Sequence, residues 1–388
     1  MGTELLLEKF RQLYGYDDSV FTFFAPGRVS LIGEHTDYNG GHVFPCALTL
    51  GITGLVRKRT DRKIRLYSCA FTADGILEDQ LDELTPGRDI GWTRYVKSVI
   101  WSFREHGHII PTGFDFLIDS TLPREVGLCS SAAIEVLTGF MLRELFGFPV
   151  SDLDIALLCQ EAENRYISVN FGIMNQFTAA MGKKDHAIFL DSKRLTYKYI
   201  PLELGDAEIV ITNSHVKNLQ IAELYDLRRK ECARALRKFQ TVTHVQFLGD
   251  LSSDTFESCK DVLMDETLVR RSRHVVYENQ RTIQACNALR AGNLRRFGEL
   301  MNASHISLRN DYDVSCPEVN FLVELAWRTP GVIGSRMTGG YAGCTVSIVR
   351  KSAVPNFLET TKQEFMDAFG IEPEFYGAFA GDGAHRIG

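Results

Sequence analysis

The sequence contains no Cys-x-x-Cys pair and no zinc-finger spacing of cysteine and histidine, which sets aside structural zinc modules and dithiol redox motifs. Its nine cysteines, at positions 46, 69, 129, 159, 232, 259, 286, 316 and 344, are an odd number scattered through the chain. That pattern fits free thiols in a reducing compartment. No stretch approaches the roughly 20 apolar residues of a membrane-spanning helix, and Met1 to Tyr14 is mixed polar and amphipathic, without the apolar run of a secretory signal. A basic excess is missing as well. The formal charge is −6, which argues against a nucleic-acid-binding face. Internal repeats, low-complexity tracts and Pro/Ser-rich linkers are absent. The expectation is a cytoplasmic protein with a small-molecule ligand, held by backbone amides, helix N-termini and individual Arg or Lys side chains.

What is present is a globular composition, 45% hydrophobic and 24% charged, over 388 residues. A chain of that length suits two hydrophobic cores. The expected division is residues 1–203 and 204–388, with a cleft between closely packed domains. Thr3 to Tyr14 has helical spacing, Val20 to Phe24 reads as a short strand running into a turn at Ala25-Pro26-Gly27-Arg28, and Val43 to Arg57, Lys63 to Ser68 and Gly113 to Ile118 read as strands. Helices are predicted over Gly91–His106, Ser130–Phe146, Ser151–Tyr166 with Ser151 as N-cap, Gln176–Met181, Ala222–Phe239, Ser272–Ala291 and Leu294–Asn302. Ala187–Leu190 and Ala207–Asn213 read as strands, and Gly334–Val349 as a Gly-rich turn followed by a strand from Thr345.

Three segments carry chemistry. Gly27-Arg28-Val29-Ser30-Leu31-Ile32-Gly33-Glu34-His35-Thr36-Asp37-Tyr38-Asn39-Gly40-Gly41 sets hydrogen-bonding side chains between glycines. It can line a sugar pocket, with Glu34 and Asp37 accepting from hydroxyls and Arg28 and His35 donating; on composition alone it can equally be a polar turn with capping residues. Leu122-Pro123-Arg124-Glu125-Val126-Gly127-Leu128-Cys129-Ser130-Ser131-Ala132-Ala133 ends a Gly turn at a helix start, where unpaired N–H groups suit a polyphosphate or simply mark a cap. Gly172-Ile173-Met174-Asn175-Gln176 opens a further helix.

The first segment is nearly word for word the galactokinase signature, and the chain resembles galactokinases of the GHMP class (galactokinase, homoserine kinase, mevalonate kinase, phosphomevalonate kinase) along its length. The resemblance implies the two-domain α+β GHMP kinase fold with its active site between the domains, and transfer of the ATP γ-phosphate to O1 of α-D-galactose. It places Glu34, His35, Asp37, Gly172 and Tyr225 at the sugar, and Arg28 beside the reacting hydroxyl. Gly127, Cys129, Ser130 and Ser131 fall at ATP, together with Gly339 and Gly340 of the third motif, Met337-Thr338-Gly339-Gly340-Tyr341-Ala342-Gly343-Cys344. Ser131 and Glu163 fall at Mg²⁺. Asn302 to His305, Asp311-Tyr312 and Gly381 to Ile387 are likewise similar to the family.

Departures from the family pattern gather near the transferred phosphate. Asn175 stands where these kinases carry the Asp that accepts the proton of the anomeric hydroxyl, and an amide oxygen is not a base at accessible pH. Glu125 replaces Gly, Cys129 replaces Ser and Phe171 replaces Cys; elsewhere, Ser30 replaces Asn in the first segment and Arg94 replaces Asn in the region that the resemblance assigns to adenine. Three readings stand on the sequence: a galactokinase weakened at Asn175, a silent galactose-binding sensor that acts through a protein partner, and a kinase for another sugar.

Overall fold

The computed structural model describes residues 2–16, 19–87, 89–123, 127–216, 221–339 and 343–387, the side chains of 221 and 222 excepted. Arg124, Glu125 and Val126 of the second motif, and Gly340, Tyr341 and Ala342 of the third, lie outside the described residues. The strands are β1 (Phe21–Ile32), β2 (His42–Lys58), β3 (Lys63–Ser68), β4 (Leu77–Gln80), β5 (Phe114–Ser120), β6 (His186–Asp191), β7 (Thr196–Pro201), β8 (Ala207–Asn213), β9 (Val332–Thr338), β10 (Cys344–Arg350), β11 (Glu374–Ala378) and β12 (His385–Ile387).

An eight-stranded sheet runs β12-β1-β2-β5-β3-β4, and β6 joins it through the start of β2 and carries β7 at its edge. All its pairs are antiparallel except β3 with β5. A second, antiparallel sheet has the order β11-β8-β10-β9. Helix Ser130–Phe146 packs on β1 and β2. It is buried on almost every side, as its run of small and apolar residues dictates. One apolar core runs from Phe23, Phe44 and Val136 to Phe297, Val346 and Ile348, joining both sheets. A second gathers Phe239, Phe256, Val275 and Tyr312 beneath helices Ile221–Phe239 and Glu266–Arg290. Among the described residues no helix is long and apolar enough to cross a membrane.

Several boundaries differ from the sequence expectation, each for a local reason. The predicted turn at Ala25–Arg28 is continuous strand with register shifts between Pro26 and Arg28 and between Ser30 and Ile32. Such bulges bend a strand and re-aim its side chains. The helix expected from Ser272 starts at Glu266, because Asp265 caps it by accepting from the amides of Thr267 and Leu268. The helix over Ser151–Tyr166 begins with the expected cap, in which Ser151 Oγ accepts from the Asp154 amide at 3.1 Å. It then widens into a π-helical turn at Ala162–Ile167, which carries Glu163. Residues 334–338, read as part of a Gly-rich turn, belong to β9 (Val332–Thr338) instead.

The N-terminal helix Thr3–Tyr14 is fastened to the sheet through a buried charge. The Asp115 carboxylate, fully shielded from solvent, accepts from Arg57 at 2.6 Å, Arg59 at 2.9 Å and Arg65 at 2.6 Å. Arg57 also donates to the Tyr14 carbonyl at 2.7 Å. Burial opposes ionisation of Asp115, but its three guanidinium partners hold its pKa below the usual range. Asp115→Asn leaves three cations around a neutral amide, and the expected loss is about 3 kcal/mol of unfolding free energy in urea titrations.

Candidate active site

The bulged end of β1 brings the first motif against the second. At Gly27 a Cβ would sit 2.8 Å from the Leu128 carbonyl oxygen, and the Arg28 amide donates to that same oxygen at 3.1 Å. The Arg28 side chain then spans two segments. Its Nη1 donates to the Gly127 carbonyl at 2.8 Å and its Nε to Asn175 Oδ1 at 2.9 Å. Gly339 of the third motif packs on the same loop, where an added Cβ would lie 2.7 Å from Gly127 O. Its φ of +74° is a conformation that favours glycine. Arg28, Gly127, Asn175 and Gly339 therefore meet at one place.

The tip of the first motif is held from the other half of the chain. Glu34 is buried, and its carboxylate pairs with the fully buried Arg336 at 2.7 Å. Burial raises the Glu34 pKa, but Arg336, Arg28 and His35 together outweigh that and hold it below the usual carboxylate range. Arg336 also donates to the Ser30 carbonyl at 2.8 Å, and Ser30 Oγ is itself buried with no hydrogen-bond partner among the described residues. Glu278 accepts from the amides of Gly33 at 2.9 Å and Glu34 at 3.3 Å and from Ser304 Oγ at 2.6 Å. Burial again opposes its charge, and Arg281, His274 and Arg336 draw its pKa down to about 2. A single buried carboxylate thus replaces the hydrogen bonds that water would give the loop.

His35 takes a left-handed backbone, φ +61°, with its carbonyl receiving the Asn39 amide group at 2.9 Å. Burial draws its pKa down to about 4, so the ring is neutral at physiological pH. It faces Tyr312 and Tyr225, with ring centroids 4.9 and 5.6 Å away. Asp37 packs directly over Gly172: a side chain at 172 would overlap the Asp37 carboxylate, and the Met174 amide donates to that carboxylate at 3.3 Å. Burial raises the Asp37 pKa despite amide hydrogen bonds from Met174 and Tyr38. Tyr225 hydrogen-bonds the Gly172 backbone and meets the edge of Phe171 at 4.6 Å. Glu34, His35, Asp37, Gly172 and Tyr225 thus lie together in one place.

Beside it lies an acidic cluster. Ser131, in the first turn of helix Ser130–Phe146, hydrogen-bonds Glu163, and Gln176 donates to Glu163 at 2.7 Å and Glu135 at 2.9 Å. Burial raises Glu163 to about 7 against the pull of Gln176, Ser131 and Arg94. Glu135 is raised further by burial and by the neighbouring Glu163. Cys129, at φ +58°, is pushed by burial up to about 11 and stays a thiol. Ser130 begins the helix; Gly340 falls outside the described residues. Glu135, Gln176, Glu278 and Arg336 went unread in the sequence. Arg336 stands next to a recognised motif and Gln176 closes one, which is a usable signal. Glu135 and Glu278 sit inside helical patterns, where a carboxylate reads as solvated surface.

Comparison with known proteins agrees with this geometry. Residues 8–58 match the galactokinase galactose-binding signature, residues 94–183 the GHMP kinases N terminal domain, and residues 286–359 the GHMP kinases C terminal model. The chain is 48% identical over 386 residues to a galactokinase of Clostridium acetobutylicum, covering 99% of this chain and 98% of that one. It is 46% identical over 385 residues to one of Clostridium beijerinckii, with 99% of each covered. The crystal structure of Lactococcus lactis galactokinase complexed with galactose superposes with a TM-score of 0.96 at 43% identity, covering 99% of both chains. Methanococcus jannaschii mevalonate kinase shares the fold, with a TM-score of 0.67 at 19% identity over 95% of this chain and 100% of that one. With full-length identity of this order and three matching segments that converge on Arg28, the chain belongs to the galactokinase family of GHMP kinases.

Proposed function

We propose that the protein is a cytoplasmic ATP-dependent galactokinase that transfers the γ-phosphoryl group of ATP to O1 of α-D-galactose, at a rate limited by the absence of a base at residue 175. The observation that carries this reading is the double hydrogen bond of Arg28, which ties the phosphate-loop carbonyl of Gly127 to Asn175 beside the sugar-loop residues. Residues 1–203 and 204–388 act as the two domains, with Glu34, His35, Asp37, Gly172 and Tyr225 for the sugar. Gly127, Cys129, Ser130, Ser131, Gly339 and Gly340 take ATP.

Glu34 is held anionic by Arg336 and accepts from a sugar hydroxyl; neutral His35 either donates or accepts. Arg28 stabilises the charge that develops as the O1–phosphorus bond forms and the bond to the ADP oxygen breaks. Ser131 and Glu163 would hold a magnesium ion: both offer oxygen, and they already hydrogen-bond each other. When bound, the ion neutralises phosphate charge. The proton of O1 departs to solvent, since Asn175 accepts no proton. General-base assistance contributes about 10²- to 10⁴-fold, so positioning and charge carry what turnover remains.

A galactose-binding protein without turnover is the competing reading that Asn175 leaves to be tested, although the full-length galactokinase relatives do not favour it. Purified protein with galactose and MgATP is expected to form galactose 1-phosphate faster than an Arg28→Ala control. A rate no higher than the control, with galactose still bound in calorimetry, establishes the competing reading instead. Gly172→Ala forces Asp37 off its seat; a displacement of this size is expected to lower kcat/KM for galactose by about 10²-fold.

A further inference from the structure

A hydrogen-bonded chain of side chains ends on His35 of the first motif. Cys232, in helix Ile221–Phe239, has its sulfur 3.3 Å from the Tyr312 hydroxyl. Tyr312 meets the Tyr38 hydroxyl at 2.7 Å, and Tyr38 meets His35 Nδ1 at 3.0 Å. Asn39 closes the circuit, donating to the His35 carbonyl at 2.9 Å and hydrogen-bonding the Cys232 sulfur. His35, Asn39, Cys232 and Tyr312 are all buried, so water competes little for these bonds. The Tyr312 ring packs against both His35 and His274, with centroids 4.9 and 4.4 Å away.

The chain has a direction. A neutral imidazole carries its proton on one nitrogen and accepts at the other, and His35 is neutral at physiological pH. Its lone pair is the most basic acceptor in the series, since imidazole takes up a proton with a pKa of about 6.5, whereas a phenol oxygen or a thiol sulfur takes up none in that range. The Tyr38 hydroxyl, which has a single proton to give, therefore donates to Nδ1. Its oxygen is left to accept from Tyr312, and the Tyr312 oxygen to accept from the Cys232 thiol. Burial pushes that thiol up to about 11, so its proton is in place to be donated. Bonds aligned in one direction polarise and strengthen one another. The proton of His35 then sits on Nε2.

We propose that Tyr38, backed by Tyr312 and Cys232, is a positioning residue that fixes His35 as its Nε2–H tautomer and so makes the ring a donor to an oxygen of the bound hexose. The proposal rests on the sugar-pocket reading of His35. It decides between donating and accepting, which the neutral ring by itself leaves open: the hexose meets Nε2 with a lone pair. The relay draws on three parts of the chain, the first motif, helix Ile221–Phe239 and the turn Leu308–Tyr312, so packing between the two halves sets the tautomer.

Two-bond proton–nitrogen-15 correlation spectra of the full chain, labelled at histidine and recorded near neutral pH, test this, with the His35 signals assigned by their loss in His35→Asn. The unmodified chain is expected to show a protonated Nε2 and an unprotonated Nδ1 in a single tautomer. Tyr38→Phe removes the donor to Nδ1; it is expected to shift His35 to a mixture of tautomers and to weaken galactose binding about tenfold in calorimetry. A proton on Nδ1, or a mixture, in the unmodified chain would overturn the proposal even where the variant does not fold. A tautomer unchanged in Tyr38→Phe, or a changed tautomer with unchanged galactose affinity, would overturn it too. Absence of galactose binding in the unmodified chain, with Nε2 protonated, would instead remove the sugar-pocket reading and with it the donor role, while the relay itself stood.

Discussion

Arg28 is the constraint on which the rest of the site depends. Its guanidinium reaches the Gly127 carbonyl and the Asn175 amide at once, and its backbone is set by the bulge at Pro26–Arg28 and by the amide bond to Leu128. A planar group with fixed donor directions determines which atoms can stand beside it. It therefore fixes the distance between the Gly127 turn and the Gly27–Gly41 segment and turns the Asn175 amide. The same residue that would stabilise a transferring phosphoryl group also decides what its partner presents to the cleft.

Around Arg28 the site is built from buried charge. The carboxylates of Glu34, paired with Arg336, and of Glu278, paired with Arg281, the loop amides and Ser304, are shielded from water and engaged. Such pairs are poor sources of net stability, because desolvation offsets the attraction. Their directional bonds do specify geometry, and here they fasten a loop of the N-terminal half to β9 and to helix Glu266–Arg290 of the C-terminal half. The Glu135–Gln176–Glu163 cluster is different. It places carboxyl groups together with Gln176 as the shared donor, so burial raises both pKa values, and an arriving cation would relieve that strain.

The sequence made the chemistry of the motifs legible, because glycines, Arg28 and the Glu34–Asp37 run stand adjacent in the chain. Long amphipathic or apolar runs such as Thr3–Tyr14 and Ser130–Phe146 were legible for a similar reason, since their periodicity is local. What stayed hidden depends on contacts distant in sequence. The continuation of β1 through Pro26 and Gly27 is decided by pairing with β2, and the left-handed conformation of His35 by packing under Tyr225 and Tyr312. Glu278 looks like a solvent-facing helix residue until the Gly33 amide, 245 positions away, is brought beside it. Asn175 was visible as a missing base, but only the structure reveals that its oxygen is taken by Arg28.

The central claim is that sugar recognition and phosphate positioning remain assembled while proton abstraction alone is missing. The most direct measurement is the steady-state kcat for galactose with MgATP in the unmodified chain and in Asn175→Asp. The account predicts an increase of about 10²-fold or more in kcat on restoring the carboxylate, with the galactose dissociation constant nearly unchanged. An unchanged kcat in Asn175→Asp, in a protein that still binds galactose, would contradict it.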